Sequence, residues 1–433
     1  MPESYVPPAD DRHTRIPRRA LAVILALTAP FFVWGSWHYL ATRTDSTYPE
    51  SCNVHHAMEL SAGRSIYPDY RTGPHVANIY GPVSFVLPAL ACSLGGGGEF
   101  AARLGGRLQS LLALLLAAAL VFRETRRRAR GDTVAALLAT GLLTLSPLFF
   151  RWSASARPDL PASLLSMCGV LLVAGGKERR RLLAAGALFV LAAFTKQTQI
   201  AGAGAVFLWC LMSRERRRRG LALGAGVAGA GLLGVLLLHA ATGGLSTLNL
   251  IGANTGQLGL RWGLKTILKG LVAGSALMLP AAIVCLRAAR ARRFGLLHLY
   301  FLLSTAWATL TALKTGSSHN YFFEPAMAAA LLTGDALSRD GERTALRRAA
   351  AAAAALCALL YLVKPVTWLA GRDEGVRFGP LSSGRVRFPD YPETRRRARE
   401  AKGPVLVTEG NSELRCGKPP LCLDWFAHGC RLR

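Results

Sequence analysis

The sequence predicts an all-α polytopic membrane protein, on three observations. Hydrophobic residues make up 51% of 433 positions, and they fall in runs of bilayer-spanning length. Arginine clusters punctuate those runs: Arg126-Arg127-Arg128, Arg179-Arg180-Arg181, Arg216 to Arg219, Arg290-Ala291-Arg292-Arg293 and Arg347-Arg348. The spans themselves are almost free of acids. Because Lys and Arg collect in cytoplasmic loops and are costly at the bilayer centre, the clusters mark one side of the membrane. The net charge of +27 is thus spread over short loops, which speaks for contact with membrane lipids and against a nucleic-acid partner.

The elements follow in order. Residues 1–19 form a cytoplasmic tail whose Arg12, Arg15, Arg18 and Arg19 hold the N-terminus inside, and Leu21 to Tyr39 is a retained signal anchor. An outer loop, residues 43–103, comes next. Its apolar run Val83 to Leu94 holds Pro88, follows Pro82 and ends in Gly95 to Gly98, so a re-entrant or interfacial helix is expected rather than a span. Leu108 to Phe122 then crosses inward. Spans are expected near 133–150 and 160–176, with two short crossings between Lys177 and Arg214 that turn outside at Thr195-Lys196-Gln197-Thr198. Further spans near 220–240 and 264–286 enclose the outer loop Gly243 to Trp262. Those near 295–313 and 322–337 enclose Lys314 to Tyr321, and a last one near 349–370 delivers the C-terminus outside. The total is about eleven transmembrane helices, N-in and C-out, within a multi-span domain over residues 20–370. Residues 371–433 form a small extracytoplasmic C-terminal region with a helix-like stretch at Glu393 to Lys402 and a short strand at Pro404 to Thr408.

Of nine cysteines, Cys92, Cys168, Cys210, Cys285 and Cys357 lie in apolar segments and are expected as small core residues. Cys416, Cys422 and Cys430 share the polar C-terminal region, where a disulfide among them would suit an oxidising compartment. No CxxC pair or histidine at ligand spacing accompanies them, so zinc is the weaker alternative. His55-His56 are neighbours on a helix and point apart, which disfavours a shared ion.

With this topology the polar groups other than arginine crowd the outer side. The first outer loop carries Asp45, Glu50, His55, His56, Glu59, Asp69 and His75, followed by Tyr80-Gly81-Pro82. The other outer turns add Arg157-Pro158-Asp159, Lys196-Gln197 and Ser317-Ser318-His319-Asn320-Tyr321. Converging at one membrane face, such groups would line a cavity for a substrate with a charged and a lipid part. Each has a structural alternative: Asp45 and Glu50 as solvated residues, Asp159 as a helix N-cap, Lys196 snorkelling to headgroups, Asn320 as a turn residue, and Tyr48, Tyr67, Tyr80 and Tyr321 as an interfacial belt.

Several of these segments resemble the integral-membrane glycosyltransferases of the C-type fold, in particular bacterial relatives of protein O-mannosyltransferases and lipid A aminoarabinose transferases. The likeness covers about residues 20 to 340. It lies in the run Ala57 to Asp69, in Tyr80-Gly81-Pro82-Val83, in Arg107-Leu108 opening the second span, in Ala156-Arg157-Pro158-Asp159 and in Phe194-Thr195-Lys196-Gln197-Thr198. The resemblance implies an inverting transferase that moves a sugar from a polyprenyl-phosphate donor to a glycan, lipid or protein acceptor. It implies a carboxylate base after the first span, Glu50 or else Asp45; the family's adjacent acidic pair is here spread over Asp45 and Glu50. It further implies that Lys196, Arg157 or His319 meets the donor phosphate, that Asp159 orients a cation or the acceptor, and that Gln197, Asn320 and Tyr80 line the site. It requires no cofactor and leaves a divalent cation open. A bacterial inner-membrane protein with its site facing the periplasm is expected.

A multi-span transporter or lipid flippase is the alternative, although internal repeats and midplane ionisable sites are not evident here. A non-enzymatic scaffold is the third reading. The topology is checked by alkaline phosphatase fusions, which are expected to be active when joined after Ser318 and inactive after Arg218; the reverse pattern would invert it.

Overall fold

A computed structural model describes residues 12–42, 47, 50–72, 76–176, 178–254, 257–338 and 345–369; most of its helices follow the apolar runs above, while two short ones lie within the predicted outer loops, at residues 50–61 and 245–250. The helices are α1 (Arg12–Ala41), α2 (Glu50–Ser61), α3 (Val86–Leu94), α4 (Glu99–Arg128), α5 (Thr133–Thr144), α6 (Asp159–Ala174), α7 (Arg179–Thr195) and α8 (Ala201–Leu211). They continue as α9 (Arg214–Ala241), α10 (Leu245–Leu250), α11 (Leu260–Ala273), α12 (Ser275–Arg290), α13 (Leu296–Ala312), α14 (Phe323–Leu337), α15 (Ala345–Ala358) and α16 (Leu360–Leu369). Among the described residues the only β pairing is an isolated bridge between Leu258 and Lys314. The expected C-terminal region, with its strand and cysteines, lies outside the described residues, as does Asp45.

α14 is the central helix. Its residues from Phe323 to Gly334 are all buried, and Ala326, Ala328, Ala329 and Ala330 let neighbouring backbones come close. At the other extreme, no residue in the apolar stretch of α9 is fully buried; one side rests on α7 and α8, while Leu232, Leu233, Leu236 and Leu237 face outward, as a lipid-facing helix requires.

The predicted spans are of unequal length. Ile16–Ala41, Glu99–Arg128 and Arg214–Ala241 are long and apolar enough to cross a bilayer singly, whereas several of the others are apolar helices of 10–17 residues. Two predicted spans are broken. The one near 133–150 stops at Thr144, ahead of Pro147, and Leu148, Phe149 and Phe150 continue as buried irregular backbone. Non-helical chain is tolerated at such depth when protein encloses it. The one near 264–286 divides at Gly274 into α11 and α12, inclined at 86°. Where a re-entrant or interfacial helix was expected, a 3-10 turn, Pro82–Phe85, leads into the nine-residue α3, too short to span, and the chain reverses through Gly96 and Gly97 at positive φ.

The two ends of the bundle are chemically distinct. At the arginine-rich end, the Arg18 guanidinium donates to both Asp132 oxygens at 3.0 and 2.8 Å, and Arg128 pairs with Asp335. At the other end meet the turns predicted to lie outside. Gly81 fixes their packing, because a Cβ there would sit 1.8 Å from the Phe194 carbonyl oxygen at the close of α7. Gly81→Ala is therefore expected to lower stability by about 1–3 kcal/mol, read as a drop in thermal unfolding temperature in detergent micelles; an unchanged melting curve would refute this contact.

A candidate cationic active-site cleft

Two buried ionic clusters build the site. The first is structural in geometry. Glu50 begins α2 and is fully buried; Arg107 of α4 donates to it in bidentate fashion, Nε to Oε1 and Nη2 to Oε2, both at 2.8 Å. The Ala156 amide donates to Oε1 at 2.7 Å, and Arg103 Nη1 stands 3.5 Å from Oε2. Arg107 Nη1 also donates to the carbonyls of Tyr39 and Thr42, which ties in the end of α1. Asn53 donates to the Ala156 carbonyl at 2.8 Å, and the Ser110 hydroxyl donates to the Ser155 and Arg157 carbonyls at 2.6 and 3.1 Å. The cluster thus clamps the segment that carries Arg157. Burial alone pushes the Glu50 carboxyl up, but the Arg107 charge and hydrogen bonds, the Arg103 charge and the Ala156 amide together hold it down to about 2.

The second cluster centres on Asp159, the first residue of α6. Lys196 Nζ and Asn320 Nδ2 donate to its Oδ1 at 2.5 and 2.6 Å, and Arg157 Nε donates to Oδ2 at 2.9 Å. Arg157 Nη2 also donates to the Tyr80 hydroxyl at 2.9 Å, and its guanidinium lies 4.9 Å from the Trp152 ring centre. The Lys196 ammonium sits 4.4 Å above the ring of Tyr321. Three segments far apart in sequence are joined here by one carboxylate, and Arg157 brings in Tyr80 as a fourth. Around it opens a cleft of about 110 Å³ whose walls include Tyr80, Trp152, Arg157, Lys196, Lys314 and Asn320. Lys314 Nζ donates to the backbone and side-chain oxygens of Asn254 on the far wall. Three cations therefore face the cleft and its rim, against one carboxylate already shared by two of them.

The structure brings together Tyr80, Arg157, Asp159, Lys196, Gln197 and Asn320. Gln197 lines the cleft while its Nε2 donates to the Ile79 carbonyl at 2.8 Å. His319 stands beside it rather than in it, with Nε2 accepting from Trp152 Nε1 at 2.9 Å. Glu50 is not in the cleft. Two of the alternatives give way: Lys196, only 6% exposed, reaches inward to Asp159 and not to headgroups, and the Asp159 oxygens bind neighbouring segments. Tyr67 and Tyr80 are no interfacial belt either. Both are buried, and the Tyr67 hydroxyl donates to the Tyr80 carbonyl at 3.1 Å. Sequence reasoning passed over Trp152, Asn254 and Lys314. Lys314 carries the one usable signal, since it opens a turn already assigned to the outer side. It also passed over Glu324, buried in α14, which accepts from Ser166 Oγ and Gln199 Nε2, both at 2.5 Å, and so steadies the chain just beyond Lys196.

Among the described residues no group of three His, Cys, Asp or Glu side chains is placed to hold a metal ion. The Asp159 oxygens are engaged by two cations and an amide, a donor set that does not suit a divalent ion.

The helical membrane bundle of this chain has the C-type fold of the integral-membrane glycosyltransferases. Residues 80–241, which include Tyr80, Arg157, Asp159 and Lys196, match the family model of dolichyl-phosphate-mannose-protein mannosyltransferases. Among solved structures, the chain is similar to ArnT from Cupriavidus metallidurans bound to undecaprenyl phosphate, with TM-score 0.60 and 15% identity over 91% of this chain and 85% of that one. The apo state of ArnT gives TM-score 0.58 at 15% identity, covering 91% and 84%. The archaeal oligosaccharyltransferase AglB from Archaeoglobus fulgidus, in complex with an inhibitory peptide and a dolichol-phosphate, gives TM-score 0.54 at 13% identity, covering 94% of this chain and 60% of AglB. Comparison of the sequence with curated proteins finds no match.

Glu50→Gln is expected to cost about 3–5 kcal/mol at neutral pH, because it leaves Arg107 buried without its counter-charge. The Glu50 carboxyl titrates lower when folded than its ordinary 4.5, so its stabilisation is complete above pH 4.5 and is lost as pH falls towards about 2. Thermal unfolding of native and Glu50→Gln protein across that range checks both points; parallel curves would show that the pair contributes nothing.

Proposed function

We propose that this protein is an inner-membrane glycosyltransferase that moves a sugar from a polyprenyl-phosphate donor to an acceptor hydroxyl at the extracytoplasmic face. The observation that carries the proposal is the cationic lining of the cleft: Arg157, Lys196 and Lys314, with Asp159 the carboxylate that binds the first two. A phosphate-linked sugar brings the complementary negative charge. It gains more as the glycosidic bond breaks, so fixed cations in a partly desolvated cleft favour the departing phosphate over the bound donor. ArnT, similar in fold, has been captured with undecaprenyl phosphate, which supports a donor of this class.

In the reaction the acceptor oxygen attacks the anomeric carbon and the bond to the phosphate oxygen breaks. The electron pair leaves with the phosphate, and the acceptor proton passes to a carboxylate base. Lys196, Arg157 and Lys314 meet the phosphate. Asp159 positions the first two and Asn320, while Tyr80 and Gln197 shape the wall. Of the two candidate bases in the first outer loop, Glu50 is committed to Arg107 and Ala156, which favours Asp45 as the base and a positioning role for Glu50. A transporter draws no comparable support, since the charged groups gather at one end of the bundle rather than at its midplane.

Transfer of labelled sugar from a panel of polyprenyl-phosphate donors by the reconstituted protein tests this reading. Lys196→Ala and Asp159→Asn are each expected to lower the rate at least about 100-fold. Asp45→Asn is expected to abolish transfer with thermal stability intact, in contrast to Glu50→Gln. Turnover of no donor would overturn the proposal, and native rates in all the variants would overturn the site.

A further inference from the structure

We propose that α11 is an interfacial helix whose basic stripe binds the headgroups of anionic phospholipids beside the cleft. The sequence read this segment as part of a span, but the helix carries three separate stripes. Gly263, Thr266 and Gly270 are buried against the protein. Leu260, Leu264, Leu268 and Leu271 form an exposed apolar stripe, most open at Leu260 and Leu268, which are 69% and 63% exposed, and least at Leu271. Arg261, Lys265 and Lys269 follow at four-residue spacing and form a basic stripe next to the leucines. A helix spanning the hydrocarbon would have to bury that stripe in lipid. At 86° to α12, which packs within the bundle, α11 instead runs across the bundle end, where leucines enter the acyl region and cations meet headgroups.

Its packing explains why it lies there. A Cβ at Gly270 would come within 2.3 Å of the Phe322 ring, and one at Gly263 within 2.7 Å of the Leu313 Cα, so the glycines let the helix sit directly on the 313–322 segment. Trp262 Nε1 donates to the Ser317 carbonyl at 2.8 Å, and the Thr266 hydroxyl reaches the same oxygen at 3.3 Å. The Gly259 amide donates to the Leu313 carbonyl at 2.9 Å. This is the wall that carries Lys314, Ser317 and Asn320 into the cleft. Lipid held along α11 is thus held next to one wall of the site. The occupant follows from charge: a row of three cations parallel to an apolar row complements an anionic headgroup on its own acyl chains, not a zwitterionic one.

The full-length protein in phosphatidylcholine nanodiscs, doped with phosphatidylglycerol bearing a headgroup photocrosslinker, tests the inference by mapping crosslinks to residues 258–273. Native protein and the charge-conserving Arg261→Lys/Lys265→Arg are expected to crosslink to phosphatidylglycerol and not to an equally labelled phosphatidylcholine. Arg261→Gln/Lys265→Gln is expected to lose about an order of magnitude of this signal. Equal labelling by both lipids, an undiminished signal in the glutamine variant, or a loss shared by the charge-conserving variant would overturn the proposal. So would displacement of the probe by a modest excess of polyprenyl phosphate, which would give the stripe to the donor instead. No readout here needs sugar transfer, so failure of the transferase reading is separately visible.

Discussion

Asp159 is the constraint on which the cleft depends. One carboxylate, 2% exposed, holds Arg157 from its own segment, Lys196 from the end of α7 and Asn320 from the turn before α14. Buried cations at the end of a membrane bundle would repel one another and lose hydration, and a single shared counter-charge offsets both costs without neutralising the group. The cations that remain along its walls are what the proposed phosphate-linked donor would meet. Asp159 therefore acts on structure and on function by the same charge.

A second ionic cluster supports the first. Glu50 and Arg107 join the end of α1, the start of α2, α4 and the loop around Ala156, and that loop delivers Arg157. Serine and asparagine bonds to carbonyls 155–157 remove the remaining freedom. On the opposite wall, Glu324 and Gln199 anchor the turn following Lys196, and α11 holds the segment that carries Lys314. The side chains of the cleft thus bond to one another at one end of the bundle, while the flanks, as on α9, present apolar surface to lipid.

Much of the fold was legible in the sequence because its signals are local. Apolar length, arginine clusters and Pro/Gly breaks each act within a few residues, and α3 emerged as the short non-spanning helix that Pro82, Pro88 and the glycine run implied. Two spans were misjudged for a reason of the same kind. Continuous apolar sequence reports burial or lipid contact without distinguishing them, so the irregular Leu148 to Phe150 read as helix. In α11 the three-stripe pattern was present, yet the leucines masked it within a longer apolar window.

The sequence by itself determined the class, the order of helices and the side on which the polar turns gather, since hydropathy and charge placement answer to the bilayer rather than to any neighbour. It also supplied most of the cleft's residues, because topology alone collects outer turns. Only the tertiary structure decided their partners: that Asp159 binds Lys196, that Lys314 reaches Asn254 on the facing wall, and that Glu50 is sealed against Arg107. A carboxylate in an outer loop reads the same in sequence whether it meets water, a guanidinium or a substrate. What separates these cases is which distant residue approaches within 3 Å, and that is a property of packing.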